Sequence, residues 1–387
     1  MKVTQQIGLN ALRHPGRARV RHSDRSREKG AAISGDVYEH LAAALDGLAN
    51  GFPRTESNVE LRILRHVFTP TEAEVAAALT WRPAATADVA RRAVLEPAHV
   101  ASALESLAER GVIWTGRAGD APGYRLAPFV VGFYEAHMLE ARDAEFARLV
   151  EEYFCGGGAA GIMSPQPAIH RVLPARGATE VEWVLPYDDV RAILGKASSF
   201  RVETCVCRLQ QDELGTRRCD FPLESCLWFS SAESGAEAGG ISHEEALAVL
   251  DEAESVGLVH TVSNVASGIG YVCNCCGCCC GLLRGITEWG LEHSVAQANY
   301  FAEIDPFTCT ACGACEERCQ VDAVAVRDDG VRVVRRESCI GCGLCVTGCP
   351  AEAARLRRKP DDEIVAPPAT RGAWERVRLR GRGLSGT

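Results

Sequence analysis

Eight of the nineteen cysteines in this 387-residue chain fall into two runs of the same spacing. Cys309, Cys312, Cys315 and Cys319 read C-x-x-C-x-x-C-x-x-x-C, and Cys339, Cys342, Cys345 and Cys349 repeat the pattern 30 positions on. Thiolates at a three-residue stride can wrap three corners of one compact metal–sulfur centre. A cubane [4Fe–4S] cluster then needs its fourth thiolate from elsewhere. Disulfides have no use for such a stride, and zinc favours C-x-x-C pairs in separated knuckles.

Over residues 301–358 the chain resembles bacterial-type dicluster ferredoxins, with Asp305-Pro306 and Glu337-Ser338 at corresponding places before each first cysteine. The resemblance implies two [4Fe–4S] clusters with crossed ligation, the fourth cysteine of each run serving the other cluster. Cys309, Cys312 and Cys315 then pair with Cys349, and Cys339, Cys342 and Cys345 with Cys319. One position departs from the repeat. Gln320 follows Cys319 where Pro350 follows Cys349, so that turn is expected to be less constrained.

Ten further cysteines lie in two short segments upstream. Cys205, Cys207, Cys219 and Cys226 are four thiols in 22 residues, interleaved with Arg208, Arg217 and Arg218. They match one tetrahedral or cubane site, with cations to stabilise its charge. Cys273 to Cys280 holds six cysteines in eight positions. Cys273, Cys276 and Cys279 repeat the three-residue stride and are expected to offer three corners of another centre. Cys275, Cys278 and Cys280 are then spare thiols, or a fourth corner. A further [4Fe–4S] cluster or zinc is therefore expected in the middle of the chain. His260 reads as a satisfied histidine on a strand rather than a ligand.

The elements that must position these groups divide the chain into parts. Residues 1–35 are Arg-rich and acid-poor, and read as a disordered basic extension. Residues 36–150 read as helical: 36–48, 60–68, 72–79, 88–94 and 97–110, with a capping box from Thr69 to Glu72. Strands at 112–115 and 124–126 follow, and helices ahead of a β-hairpin resemble a winged-helix domain. Residues 160–300 read as an α/β Cys-rich domain: a strand at Trp183–Leu185, a helix to Ala197, a helix capped by Ser242 and Glu245, and a strand at 258–260. Residues 359–387 read as a disordered basic tail. The fold class is thus α+β multidomain, with a winged-helix-like start and a dicluster ferredoxin end.

Composition bounds the rest. The net charge is −9 although both ends are basic, so the middle is acidic and a broad nucleic-acid surface is disfavoured. The would-be recognition helix offers His99, Ser102, Glu105, Glu109 and Arg110, a set poor in base-reading groups. No specific nucleic-acid partner is expected, and the domain reads as a docking or homodimerisation element. No apolar run approaches the roughly 20 residues a membrane span needs. Clustered cysteines point to a reducing, cytoplasmic setting.

From Phe129-Val130-Val131-Gly132 through Cys205-Val206-Cys207-Arg208 and Cys273-Asn274-Cys275-Cys276-Gly277-Cys278-Cys279-Cys280 to the ferredoxin segment, the order of parts resembles bacterial 4Fe–4S dicluster proteins of the ferredoxin family. That resemblance implies single-electron relay to or from the central cysteines or a partner oxidoreductase. The alternative is a reductase whose central cysteine centre acts on a substrate. A redox-sensing winged-helix regulator is the third reading. There is no dinucleotide fingerprint, phosphate loop or evident acid–base pair, so a stand-alone catalyst is not expected.

Overall fold

The computed structural model describes residues 36–179, 184–230 and 240–384. The expected basic extension at 1–35 lies outside them, as does Trp183 of the expected strand. Helices Val37–Asp46, Val59–Val67, Pro70–Ala77, Thr86–Ala93 and Pro97–Glu109 come first, within two or three residues of the expected bounds. The Thr69–Glu72 capping box is formed in both directions, with Pro70 in the first helical turn. Strands β1 (Ile113–Ala118) and β2 (Ala121–Leu126) then pair antiparallel across a tight turn. An isolated bridge from Ala84 to Tyr124 adds a third short partner.

This helical region packs around Phe52, Phe129, Phe133 and Tyr153, whose rings meet at 5.0–6.1 Å. Its core also takes in Leu209, Val265 and Trp374 from far along the chain.

The middle of the chain builds one six-stranded sheet. Its strands are β3 (His170–Val172), β4 (Ser199–Thr204), β5 (Glu224–Ser230), β6 (Val259–Ser263), β7 (Tyr271–Cys275) and β8 (Val295–Ala296). The order across the sheet is β4-β5-β7-β6-β3-β8, antiparallel except for the β3–β8 pair. Helix His243–Val256 packs on it, opened by the Ser242–Glu245 capping box and closed by Gly257 in the left-handed region at φ 96°. The helix expected to run on to Ala197 covers only Val190–Leu194.

The C-terminal module carries its sequence repeat into the backbone. β9 (Tyr300–Ile304) pairs with β12 (Ala354–Arg358), and β10 (Val324–Val326) with β11 (Arg332–Val334). Short helices Ala314–Glu317 and Leu344–Thr347 sit 30 residues apart. So do the left-handed pairs Ala311 and Gly341, Gly313 and Gly343, and Asp322 and Glu352. Glycine or a strained residue is needed wherever the loop must turn its thiolates inward.

The tail is a correction. Part of the segment expected to be disordered forms helix Arg371–Gly381. Trp374 is buried, and its indole N–H donates to the Ala168 carbonyl at 2.9 Å. Arg378 is fully buried and donates to the carbonyls of Ala49 (2.9 Å), Pro167 (2.7 Å) and Ile162. Arginine counts suggest solvation; here the Arg378 guanidinium is buried and spent on backbone carbonyls.

Candidate metal centres

In the C-terminal module Cys309, Cys312, Cys315 and Cys349 line one small cavity with Gly313, Ala351 and Ala354. Four thiols with only small residues between them are a donor set that fits an iron–sulfur group. Burial raises the Cys315 thiol, with Cys309 and Cys349 adding to the shift. Burial likewise pushes Cys342 up to about 12, with Cys319 and Cys339 beside it. Cys345 is raised by burial and then by Cys342, Cys339 and Cys319. The fourth cysteine of each run thus sits among the first three of the other. The Ala323 N–H donates to Cys319 Sγ at 3.1 Å, a contact of the type that sets cluster potential.

Upstream, the two expected groupings are rearranged. Cys219, Cys276, Cys278 and Cys279 converge, with all four sulfurs within 4.8 Å of one another. The Cys219–Cys279 and Cys278–Cys279 sulfurs are 3.7 and 3.6 Å apart. The other six cysteines, Cys205, Cys207, Cys226, Cys273, Cys275 and Cys280, line one cavity and influence one another's ionisation in pairs. Cys205 is paired in this way with Cys207 and Cys226, Cys226 with Cys273, Cys207 with Cys280, and Cys280 with Cys275.

Cys205, Cys207 and Cys226 therefore stay together as expected, but Cys219 leaves them. The Cys273–Cys276–Cys279 stride is broken as well. Cys273 and Cys275 lie on β7, where alternate residues share a face, while Cys276 begins the turn beyond it. A three-residue stride cannot bring all its thiols to one side of an extended strand. The three thiols read as spare are all placed in a group: Cys278 in the first, Cys275 and Cys280 in the second. The signal that could have found them was the strand's own alternation.

Arg208 joins the two groups. It is fully buried and donates to the Asn274 carbonyl at 3.1 Å, to the Ser225 hydroxyl, and to Cys276 Sγ at 3.7 Å. Burial opposes its charge, but the surrounding cysteines Cys205, Cys276 and Cys226 outweigh that and raise it. Asn274, between the cysteines, is held by His260 Nδ1 at 2.5 Å. His260 Nε2 lies 3.2 Å from Glu254, so His260 is the satisfied histidine expected, not a ligand.

The six-thiol group forms one wall of a cavity of about 120 Å³, with Val130, Tyr134, Glu135, His170, Trp228 and Tyr271 on the others. A hydrogen-bonded chain runs through this wall. Ser263 Oγ meets the Tyr271 hydroxyl at 2.8 Å, and that hydroxyl meets His170 Nε2 at 2.8 Å. His170 Nδ1 meets Thr261 Oγ1 at 3.2 Å, which lies 3.4 Å from Cys275 Sγ. Burial lowers His170 to about 4, so it is neutral near pH 7. Burial raises Glu135 to about 8.

The C-terminal module docks onto this region. Gly277, inside the cysteine turn, donates its N–H to Gln320 Oε1 at 2.8 Å. Arg318 donates to the carbonyls of Leu344 (3.0 Å), Ser255 (2.9 Å) and Glu254 (2.6 Å). The side chain of Gln320, at the position where the second run has Pro350, is thus held by another part of the chain.

Residues 302–356 match the family model of the 4Fe–4S dicluster domain. The C-terminal module is ferredoxin-like and of iron–sulfur type. No curated protein and no solved structure matches the chain. Among the described residues no helix is long and apolar enough to cross a membrane.

Proposed function

We propose that the chain is a cytoplasmic iron–sulfur electron-transfer protein, relaying single electrons through two [4Fe–4S] clusters to or from the central cysteines or a partner oxidoreductase. The observation that carries this is the gathering of Cys309, Cys312, Cys315 and Cys349 around one cavity, with Cys319 among the thiols of the second run. Bound there, the clusters would supply one-electron chemistry. The chain's own part is to hold them, cover them and set their potential through N–H···S contacts. The Gln320–Gly277 contact holds the C-terminal module close against the central cysteine region.

A second reading, a reductase acting at the six-thiol group, draws on the cavity wall and the hydrogen-bonded chain ending at Cys275. The cavity's size argues against a large substrate, since ligand pockets run to roughly 300–1,000 Å³ and this one is about 120 Å³. The regulator reading is weakest. Arg110, the cation of the would-be recognition helix, is tied to the Val67 carbonyl at 2.9 Å and to Glu72 at 2.7 Å. What remains exposed there includes Glu105 and Glu109, which suits docking to another protein or copy better than phosphate contact.

Anaerobic purification with iron and sulfide analysis, followed by EPR of the dithionite-reduced protein, tests the leading reading. About eight iron and eight sulfide in residues 301–358, with paired cluster signals, are expected from the two-cubane stoichiometry. Four iron, or metal without sulfide, overturns it.

A further inference from the structure

We infer that Cys219, Cys276, Cys278 and Cys279 form a closed tetrathiolate site for a single zinc ion, separate from the iron–sulfur clusters. Zinc–thiolate bonds are about 2.3 Å long, and a tetrahedron of that radius has edges of about 3.8 Å. The sulfur pairs at 3.7 and 3.6 Å lie on that edge length, and the whole group fits within 4.8 Å. A cubane places four irons and four sulfides between its thiolates. That holds cysteine sulfurs well beyond direct contact, so this group is too tight for one.

The surroundings suit a filled site with a net charge of −2. Buried Arg208 donates to Cys276 Sγ at 3.7 Å. Arg217, two residues from Cys219, is held by Asp212 at 2.8 Å, and Arg218 reaches the Cys278 carbonyl at 3.3 Å. Cys276 and Cys279 are almost wholly buried. Four protein thiolates leave no coordination position for water or substrate, which is the pattern of a structural zinc. The ion would tie the loop bearing Cys219 to the turn at 276–279, some 57 residues further along. That turn meets the ferredoxin-like module at Gln320, so the ion would also stiffen the docking surface.

Zinc-edge X-ray absorption and metal analysis on the intact wild-type chain, purified anaerobically from zinc- and iron-replete cells, test the assignment. One zinc per chain with four sulfur neighbours at about 2.3 Å is expected. Cys278→Ser should remove most of that zinc, while iron, sulfide and the EPR of the reduced C-terminal clusters stay as in wild type. Absence of zinc, zinc with nitrogen or oxygen ligands, iron in its place, or loss of iron and sulfide in Cys278→Ser overturns the inference. Because the wild-type spectrum stands alone, misfolding of the variant does not shield the proposal. Failure of the electron-transfer reading would appear separately, in the iron and sulfide of residues 301–358.

Discussion

Gln320 accepts a hydrogen bond from the Gly277 backbone N–H at 2.8 Å, so the residue beside one expected cluster ligand touches the middle of the central cysteine turn. The approach is close enough that a Cβ on Gly277 would lie 2.2 Å from the Gln320 carbonyl oxygen. Gly277→Ala must push the module away. The expected cost is about 1–3 kcal/mol, typical of overpacking. Chemical denaturation measures it, and faster amide exchange at residues 318–321 locates it. Unchanged stability and exchange would mean that the contact does not hold the module.

Cys319→Ala should disturb the cluster held by Cys339, Cys342 and Cys345, while Cys349→Ala disturbs that of Cys309, Cys312 and Cys315. Cys319 lies among the second run's thiols, and Cys349 lines the cavity of the first. EPR of each variant, with the two signals assigned by potential, decides it. Loss of the same signal in both variants would contradict crossed ligation.

Arg208→Met removes the buried cation between the two thiol groups and leaves the Asn274 carbonyl without it. Breaking a buried charge interaction from one side costs about 3–5 kcal/mol. Arg208→Lys should recover only part of this, because an ammonium cannot span Asn274, Ser225 and Cys276 as the planar fork does. Equal stability of the Met variant and wild type in urea would remove the bridging role.

Glu135 gives a pH signature. Burial raises its carboxyl from 4.5 to about 8, so the folded chain keeps a proton that the unfolded chain releases. Its contribution to stability is full below about pH 4.5 and is lost as pH rises through about 8. Glu135→Gln should flatten the stability–pH curve across that window and outlast wild type above it. A thermal-melt series from pH 5 to 9 reads this; parallel curves would show that Glu135 ionises freely.

Trp374→Ala should cost about 3–5 kcal/mol, as for a large buried aromatic, since its ring is buried and its N–H bonds Ala168. Proteolysis of the C-terminal helix should accelerate along with it. A tail that tolerated the change without effect would be a surface strand of chain after all.

The gathering of the C-terminal cysteines was legible because three of each set lie at a local stride of three in a short loop, and the repeat at 30 residues points to the fourth. Caps were legible for the same reason, as Thr69–Glu72 and Ser242–Glu245 act over three residues. The central thiols were not. Their partners lie on different strands, and the strand alternation that separates Cys273 from Cys276 depends on where β7 ends. The tail was hidden too, since Arg378 finds its carbonyl partners more than 200 residues away. Sequence by itself determined which segments are rich in thiols; tertiary structure alone decided which central sulfurs come together, because that follows from the sheet order and not from spacing along the chain.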